Sequence, residues 1–312
     1  MIIDVQHTRL SIGDNTDTER LINLPFSEPL EFSYQQNSQN VVAVMAANLS
    51  TERKVDRLVD LLFKLKLQDD TVWKTYQGKP VFWLLPNLSA NELQHWVSVL
   101  HQHLPHCFEH PLTRIFPNGS ASLMFAFKAL EAMSFDSQSV VLISVDSLFF
   151  DLAELSATEN LITEEQGSGS RPAEAAMVTN LRVNTTGLSI DLLSQNNCSL
   201  VQQTQTIQSL FQQANKACEP ELFNQLYLPG ANQTVTDNWL NAYEQLAGRI
   251  DSDSDISQTT NFTGDIGCVS GLYNFVHLFN RYEQQAVTGK SLQLEVSQTL
   301  HLGLATYSWI EA

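Results

Sequence analysis

Basic side chains are scarce in this 312-residue chain: 17 Lys and Arg stand against 34 Asp and Glu, giving a formal net charge of −17. A surface of that sign repels phosphate backbones and anionic headgroups, so nucleic acid and membrane surfaces are not expected partners. Cysteine is sparse as well. Cys107, Cys198, Cys218 and Cys268 are scattered, with no C-x-x-C pair. A chain of this length needs no disulfides, which points to a reducing compartment. Long apolar runs are also missing. SLMFAF and VFWLLP fall far short of the ~20 residues that a membrane span needs. The opening MIIDVQHTRL has no basic region leading into an apolar stretch, so no signal peptide is expected. What these absences leave is a cytoplasmic globular protein. Its size suits about two domains at ~150 residues each, or one duplicated unit.

The pattern that is present alternates strands and helices. Residues 1–39 are polar and predict an irregular or short-hairpin start. VVAVMAA (41–47), PVFWLLP (80–86) and VVLISV (140–145) are continuous apolar runs, as expected of strands buried on both faces. TRIF (113–116) and AAMVTNLRV (175–183) add two more strands. Between them, Val55, Leu58, Val59, Leu62 and Phe63 fall at helical spacing behind Ser50 or Thr51 as a cap. Ser89 and Glu92 form a capping box for a helix to about Leu104. SASLMFAFKALEAM (120–133), after the turn Pro117-Asn118-Gly119, is apolar nearly all round and must be buried.

The second half repeats this order. A helix is predicted over 199–214, a strand over 223–228, and a helix from Thr236 or Asp237. A turn follows at Gly264-Asp265-Ile266-Gly267, then a second all-apolar helix over 268–282 and two closing strands. Each half thus has a glycine turn, a buried helix and two strands after it, a duplication of pattern without identity. Two sheets with a helical layer between them are expected. The division is placed near 185–198, giving halves 1–190 and 191–312.

Four segments together resemble the β-ketoacyl synthase branch of the thiolase-like superfamily. They are NGSASLMFAFKAL, VVLISVDSLFF, SRPAEAAMVTNL and TGDIGCVSGLYNFVHLF. The resemblance implies an α/β, five-layer αβαβα sandwich built from two similar halves. It also implies where the chemistry would sit. Family members carry a nucleophilic cysteine at the start of the first buried helix, where the helix dipole favours thiolate. Two histidines assist decarboxylation and stabilise the developing oxyanion. In this chain the nucleophile position falls on Gly119 or Ser120, the first histidine position at or near Asn232, and the second on Asp265. By this reading the catalytic set is degenerate and the chain is a pseudoenzyme, with no cofactor. Ser120 has no matched base, because His277 and His301 lie away from the matched positions.

Other clusters carry less. His101, His103, His106, Cys107 and His110 are metal-ligating types, but their spacing fits no standard zinc pattern. A polar helix end is the expected role. DSDSD (251–255) lacks the glycine and closing glutamate of a calcium loop. GSGS (167–170) reads as a connector and not a phosphate cradle. Trp239 and Tyr243 read as core.

The family resemblance implies protein partners. The short length, Leu85-Pro86-Asn87 after a strand, and the loop GANQTVTDNW resemble stand-alone ketosynthase-like proteins of type VI secretion effector clusters. That implies an adaptor working with an effector chaperone. The alternatives are a chain-length-factor-like partner of an active synthase and a degenerate acyltransferase using Ser120. Either assembly implies a homodimer or heterodimer through the TRIF edge strand.

Overall fold

A computed structural model of the chain describes residues 1–24, 30, 33–36, 39–68, 73–74, 76–133, 139–157, 161–162, 169–230, 233–297 and 300–311. The strands are β1 (Ile2–Ile12), β2 (Ser33–Gln36), β3 (Gln39–Val42), β4 (Val81–Leu84), β5 (Arg114–Phe116), β6 (Ser139–Ser147), β7 (Glu174–Val183), β8 (Gly187–Asn197), β9 (Phe223–Tyr227), β10 (Asp255–Ser257), β11 (Lys290–Val296) and β12 (His301–Ile310). The main helices are α1 (Lys54–Gln68), α2 (Ala90–His103), α3 (Ser122–Ala132), α4 (Gln203–Ala217), α5 (Gln233–Ala242) and α6 (Val269–Glu283).

Ten strands run in the order β10-β9-β11-β12-β8-β1-β7-β6-β4-β5. The order is a mirrored pair of fives. In the first, β4 is parallel to β5 and β6, while β6–β7 and β7–β1 are antiparallel. In the second, β9 is parallel to β10 and β11, while β11–β12 and β12–β8 are antiparallel. The two fives meet only where Ile2 and Ile3 of β1 oppose Ser189 and Leu188 of β8.

Strand alternation then sorts side chains into three cores. Phe82, Leu84, Val140 and Leu142 enter a central core, while Val81, Trp83, Val141 and Ile143 enter an outer one. In the second five, Tyr227, Ala305 and Tyr307 face the central core, and Phe223, Leu292, Leu294 and Leu304 face a second outer core. α3 and α6 fill the central core, where Phe127 and Phe275 meet edge-on at 5.0 Å. α1 and α2 cover one outer face, and α4 and α5 the other. The result is a five-layer αβαβα arrangement, as expected. Truncating a ring such as Phe275 to alanine in the central layer costs about 3–5 kcal/mol. Among the described residues no helix is long and apolar enough to cross a membrane.

The structure differs from the sequence reading in several places. The start is not irregular: β1 is an eleven-residue strand at the centre of the sheet. The run 41–47 is not one buried strand. β3 ends at Val42, and Val44 makes only an isolated bridge to Ala173. Val41 and Ala43 still bury, against Leu152 and Leu161, so burial and not pairing explains the apolar run. Neither Ser50 nor Thr51 caps α1, which begins at Lys54; the Ser50 backbone amide instead donates to Asp60 at 2.8 Å. The helix expected from Thr236 or Asp237 starts at Gln233 and tightens to a 3₁₀ turn over Tyr243–Arg249. The Ser89–Glu92 capping box is present on both sides.

Candidate functional site

The turns that precede α3 and α6 bring their first residues together. Gly119 has φ +62°, and a Cβ there would stand 2.5 Å from Ser297 Oγ, so only glycine fits. Ser122 anchors this turn: its hydroxyl accepts from the Asn118 amide at 3.0 Å and donates to the Phe116 carbonyl at 2.8 Å. Ser120 follows, partly exposed at the helix start. On the other side Gly271 of α6 approaches so closely that a Cβ would lie 2.7 Å from the Ser120 carbonyl.

The second turn is tied down in the same manner. Gly264 and Gly267 both have positive φ, +77° and +56°. The Asp265 amide donates to the Arg171 carbonyl at 2.7 Å, and the Asp265 carbonyl accepts from the Ala173 amide at 2.9 Å. Its carboxylate accepts from the Gly267 amide at 3.0 Å. Asp146, at the end of β6, accepts from the Cys268 amide at 2.8 Å and from the Ser147 amide at 2.8 Å.

These pieces line a cavity of about 210 Å³. Gly119, Ser120 and Asp265 all reach it, with Lys54, Asp146, Asp151, Gly230, Cys268, Ser270 and Ser297. Three of the four positions named from the sequence therefore converge. Asn232 lies outside the described residues, two positions beyond Gly230 of the lining.

The electrostatics of this cavity are acidic. Lys54 Nζ lies 3.0 Å from Asp151 and 3.9 Å from Asp146. Burial works against its charge, but the two carboxylates outweigh that and hold the lysine above its ordinary value. Burial raises the Asp146 carboxyl, opposed by Lys54. Asp265 is pushed up to about 6, first by burial, with Asp146 and Asp151 adding to the rise against the Gly267 hydrogen bond.

No histidine lines the cavity among the described residues. His301 instead packs edge-on against Phe125, its Nδ1 2.8 Å from Asn197. His277 sits under Tyr227, 2.6 Å from its hydroxyl. The one thiol among the described lining residues, Cys268, is 1% exposed. Burial and then Asp146 push its pKa well above the ordinary thiol value. Ser120 has no hydrogen-bond partner for its hydroxyl among the described residues, so nothing there acts as its base.

The histidine cluster of 101–110 is dispersed. His103 packs on Phe63, His101 on Phe108, and His110 Nδ1 accepts from the Leu112 amide at 3.2 Å. His106 is part of the 3₁₀ turn Pro105–Cys107. Cys107 is fully buried, its thiol pushed up to about 12 by burial. Among the described residues no group of three or more His, Cys, Asp or Glu is placed to hold a metal. The 251–255 acidic run serves its own turn: Asp251 accepts from the Asp253 amide at 2.9 Å. Of GSGS, Gly167 and Ser168 lie outside the described residues. Trp239 is buried in an outer core with Tyr243 against it, as expected.

The sequence reading missed Lys54, Asp146 and Asp151. Asp146 was visible as the polar residue that ends an apolar strand. Lys54 opens α1, on the outer layer, and only the fold brings it to the cavity.

No protein-family model matches the chain, and no curated protein sequence matches it. Solved structures do. The ishigamide ketosynthase/chain length factor superposes with a TM-score of 0.69 at 10% identity, covering 100% of each chain. A ketosynthase in complex with its chain length factor from Xenorhabdus doucetiae gives 0.64 at 12%, covering 99% of this chain and 98% of that one. The ketosynthase from module 6 of the bacillaene synthase of Bacillus subtilis 168 gives 0.67 at 9%, covering 100% of this chain and 72% of its own. With these likenesses and the layered sheet described above, the chain has the thiolase-like α/β fold of the ketosynthases.

Proposed function

We propose that the chain is a non-condensing, ketosynthase-like subunit that acts through a protein partner. One observation carries this reading. The cavity where Gly119, Ser120 and Asp265 meet is lined by carboxylates, and neither a histidine nor a reactive thiol is among its described residues. Condensation needs a thiolate nucleophile and donors that stabilise negative charge. Asp146, Asp151 and Asp265 would repel that charge.

The partner favoured is a homologous ketosynthase-like chain. Two of the similar structures are a ketosynthase/chain length factor and a ketosynthase with its chain length factor. In this chain β5 is the terminal strand of the sheet, with Arg114 exposed and Ile115 and Phe116 half-buried. An unpaired strand edge of that kind is suited to pairing across a two-fold axis. The second reading, an adaptor in type VI effector loading with an effector chaperone, rests on the loop and length resemblance given above. The division into halves 1–190 and 191–312 belongs to the same proposal.

Intact-mass spectrometry after incubation with acetyl and malonyl thioesters tests the first part, with no adduct expected. An acyl group on Ser120 or Cys268 overturns it and restores the acyltransferase alternative. Light scattering tests the second part: a two-chain assembly is expected, reduced to monomer by Ile115→Lys. A wild-type chain that stays monomeric alone and with every ketosynthase-like or chaperone chain encoded beside it sinks the partner reading.

A further inference from the structure

A second cavity, of about 460 Å³, lies beside the terminal strand β10. Leu24, Leu228, Ile256, Phe262, His277 and Arg281 line it, and none of them borders the Ser120 cavity. His277 and Arg281 stand four residues apart on α6 and so share a face.

A neutral His277 carries one ring proton, on either nitrogen. Its Nδ1 lies 2.6 Å from the Tyr227 hydroxyl. Burial pushes the Tyr227 phenol well above its ordinary pKa, and burial with the nearby Arg281 charge lowers His277 to about 4. At neutral pH the phenol is therefore protonated and the imidazole neutral. A neutral phenol can donate or accept; with the phenol donating to Nδ1, the ring proton sits on Nε2. Stacking on Tyr273 at 6.0 Å and contact with Phe262 fix the ring. Among the described residues no acceptor takes the Nε2 proton, which is left to the cavity that the ring lines.

Arg281 is only partly engaged. Its Nη1 donates to Asp255 at 2.8 Å and also to Gln225. A guanidinium has five N–H donors, so several remain after these two bonds. Around the two donors one side of the cavity is apolar, from Leu24, Leu228 and Phe262, and the rest carries Ser257, Gln258 and Asn261. Among the described residues Asp255 is the one carboxylate in the lining, and Arg281 holds its Oδ2. Among the described residues an incoming cation would meet no carboxylate outside that ion pair, whereas an incoming anion meets two donors.

We propose that this cavity binds a small carboxylate on an aliphatic body, its oxygens held by His277 Nε2–H and the free edge of Arg281. The tail lies along Leu24, Leu228 and Phe262. The site is separate from the Ser120 cavity and stands whether or not that cavity is inert.

Hexanoate, hexanol and hexylamine are the probes, titrated into the ¹⁵N-labelled full chain and followed by NMR. Hexanoate is expected to give saturable shifts at the His277 ring nitrogen and at the amides of residues 255–258. Hexanol and hexylamine should bind at least about tenfold more weakly, since each lacks the charged acceptor. Arg281→Gln should weaken hexanoate by about tenfold or more, on the same scale. His277→Phe keeps the ring stacking and should do the same. It also orphans the Tyr227 hydroxyl and can unfold the chain, so Arg281→Gln tests the site independently. The proposal is overturned if hexanoate gives no saturable shift at large molar excess, or if hexylamine or hexanol binds as well. It is also overturned if the shifts centre on Ser120 and Asp265, or if the folded Arg281→Gln chain binds unchanged.

Discussion

Cys268 Sγ donates to the Val145 carbonyl oxygen across 3.2 Å, which ties the start of the second central helix to the end of β6. The same sulfur lies 3.5 Å from the Leu84 carbonyl. A thiolate at this place would face two carbonyl oxygens and the Asp146 carboxylate, so the thiol stays protonated. Cys268 should therefore resist iodoacetamide at pH 8 in the folded chain and react at the rate of a free thiol in urea. Modification of the folded protein at that free-thiol rate, read by mass spectrometry, would show that the site is open and the thiol activated.

A buried ion pair fastens the outer helix layer to the sheet. Arg57 Nη2 donates to Glu174 Oε2 at 2.8 Å, and Arg57 Nε to Glu174 Oε1, with side chains only 3% and 0% exposed. The same carboxylate accepts from the Ala46 amide at 2.8 Å, and the guanidinium rests 4.0 Å from the Phe149 ring centre. Removing one partner leaves an uncompensated charge in the interior. Arg57→Ala or Glu174→Ala should each cost about 3–5 kcal/mol in urea unfolding. The double variant should cost clearly less than the sum, because each single change already breaks the pair. Additive losses would show that the two side chains act separately.

Gly267 makes a sharper steric prediction. Its φ is +56°, and a Cβ would stand 2.1 Å from Asp146 Oδ2. Gly267→Ala therefore combines a left-handed backbone with a clash against a fixed carboxylate. A loss of about 1–3 kcal/mol is expected from backbone strain alone, with the clash adding to it. Gly78, with φ +77° and open space around its Cβ position, should lose only the strain part. Equal losses at the two sites, measured by thermal unfolding, would remove the close approach from the account.

Much of the fold could be read from the chain, and the failures have physical causes. VVLISV and PVFWLL announce themselves because both faces of β4 and β6 are covered. β1 was missed because its centre is polar. Thr8 pairs with Thr179 at 2.9 Å, and Asn180 donates to Gln6 at 2.8 Å, so polar side chains are satisfied across the ladder where an apolar stripe was sought. A register shift between Val5 and His7 breaks the alternation further. β8 falls in the stretch 185–198 where the division was placed, and it too carries polar pairs: Asp191 accepts from Lys290 at 2.6 Å and from Ser308 at 3.0 Å on an exposed face. At the site, Gly119, Ser120 and Asp265 could be named from turn chemistry and resemblance. Lys54 and Asp151 could not, since only tertiary packing brings Lys54 to Asp146.

Glu295 supplies the pH prediction. It is fully buried on β11 and accepts from Asn274 at 2.8 Å, Gln293 at 2.9 Å and Ser270 at 3.3 Å. Burial pushes its pKa from 4.5 up to about 7, against those three bonds. The native state therefore holds this proton over a window in which the unfolded chain has released it. Because the native state binds more protons there, stability from this group falls as pH rises from about 4.5 to about 7. The loss is on the order of 3 kcal/mol by the shift. Glu295→Gln keeps the shape and removes the titration. Its unfolding free energy relative to wild type should therefore climb between pH 5 and pH 8, whatever its offset at pH 5. The stability difference between the two chains, followed by urea titration, should change steadily between about pH 4.5 and pH 7 and level off above about 7. A difference that stays flat across this range would mean that the carboxylate is ionised in the native state, with Asn274, Gln293 and Ser270 outweighing the desolvation.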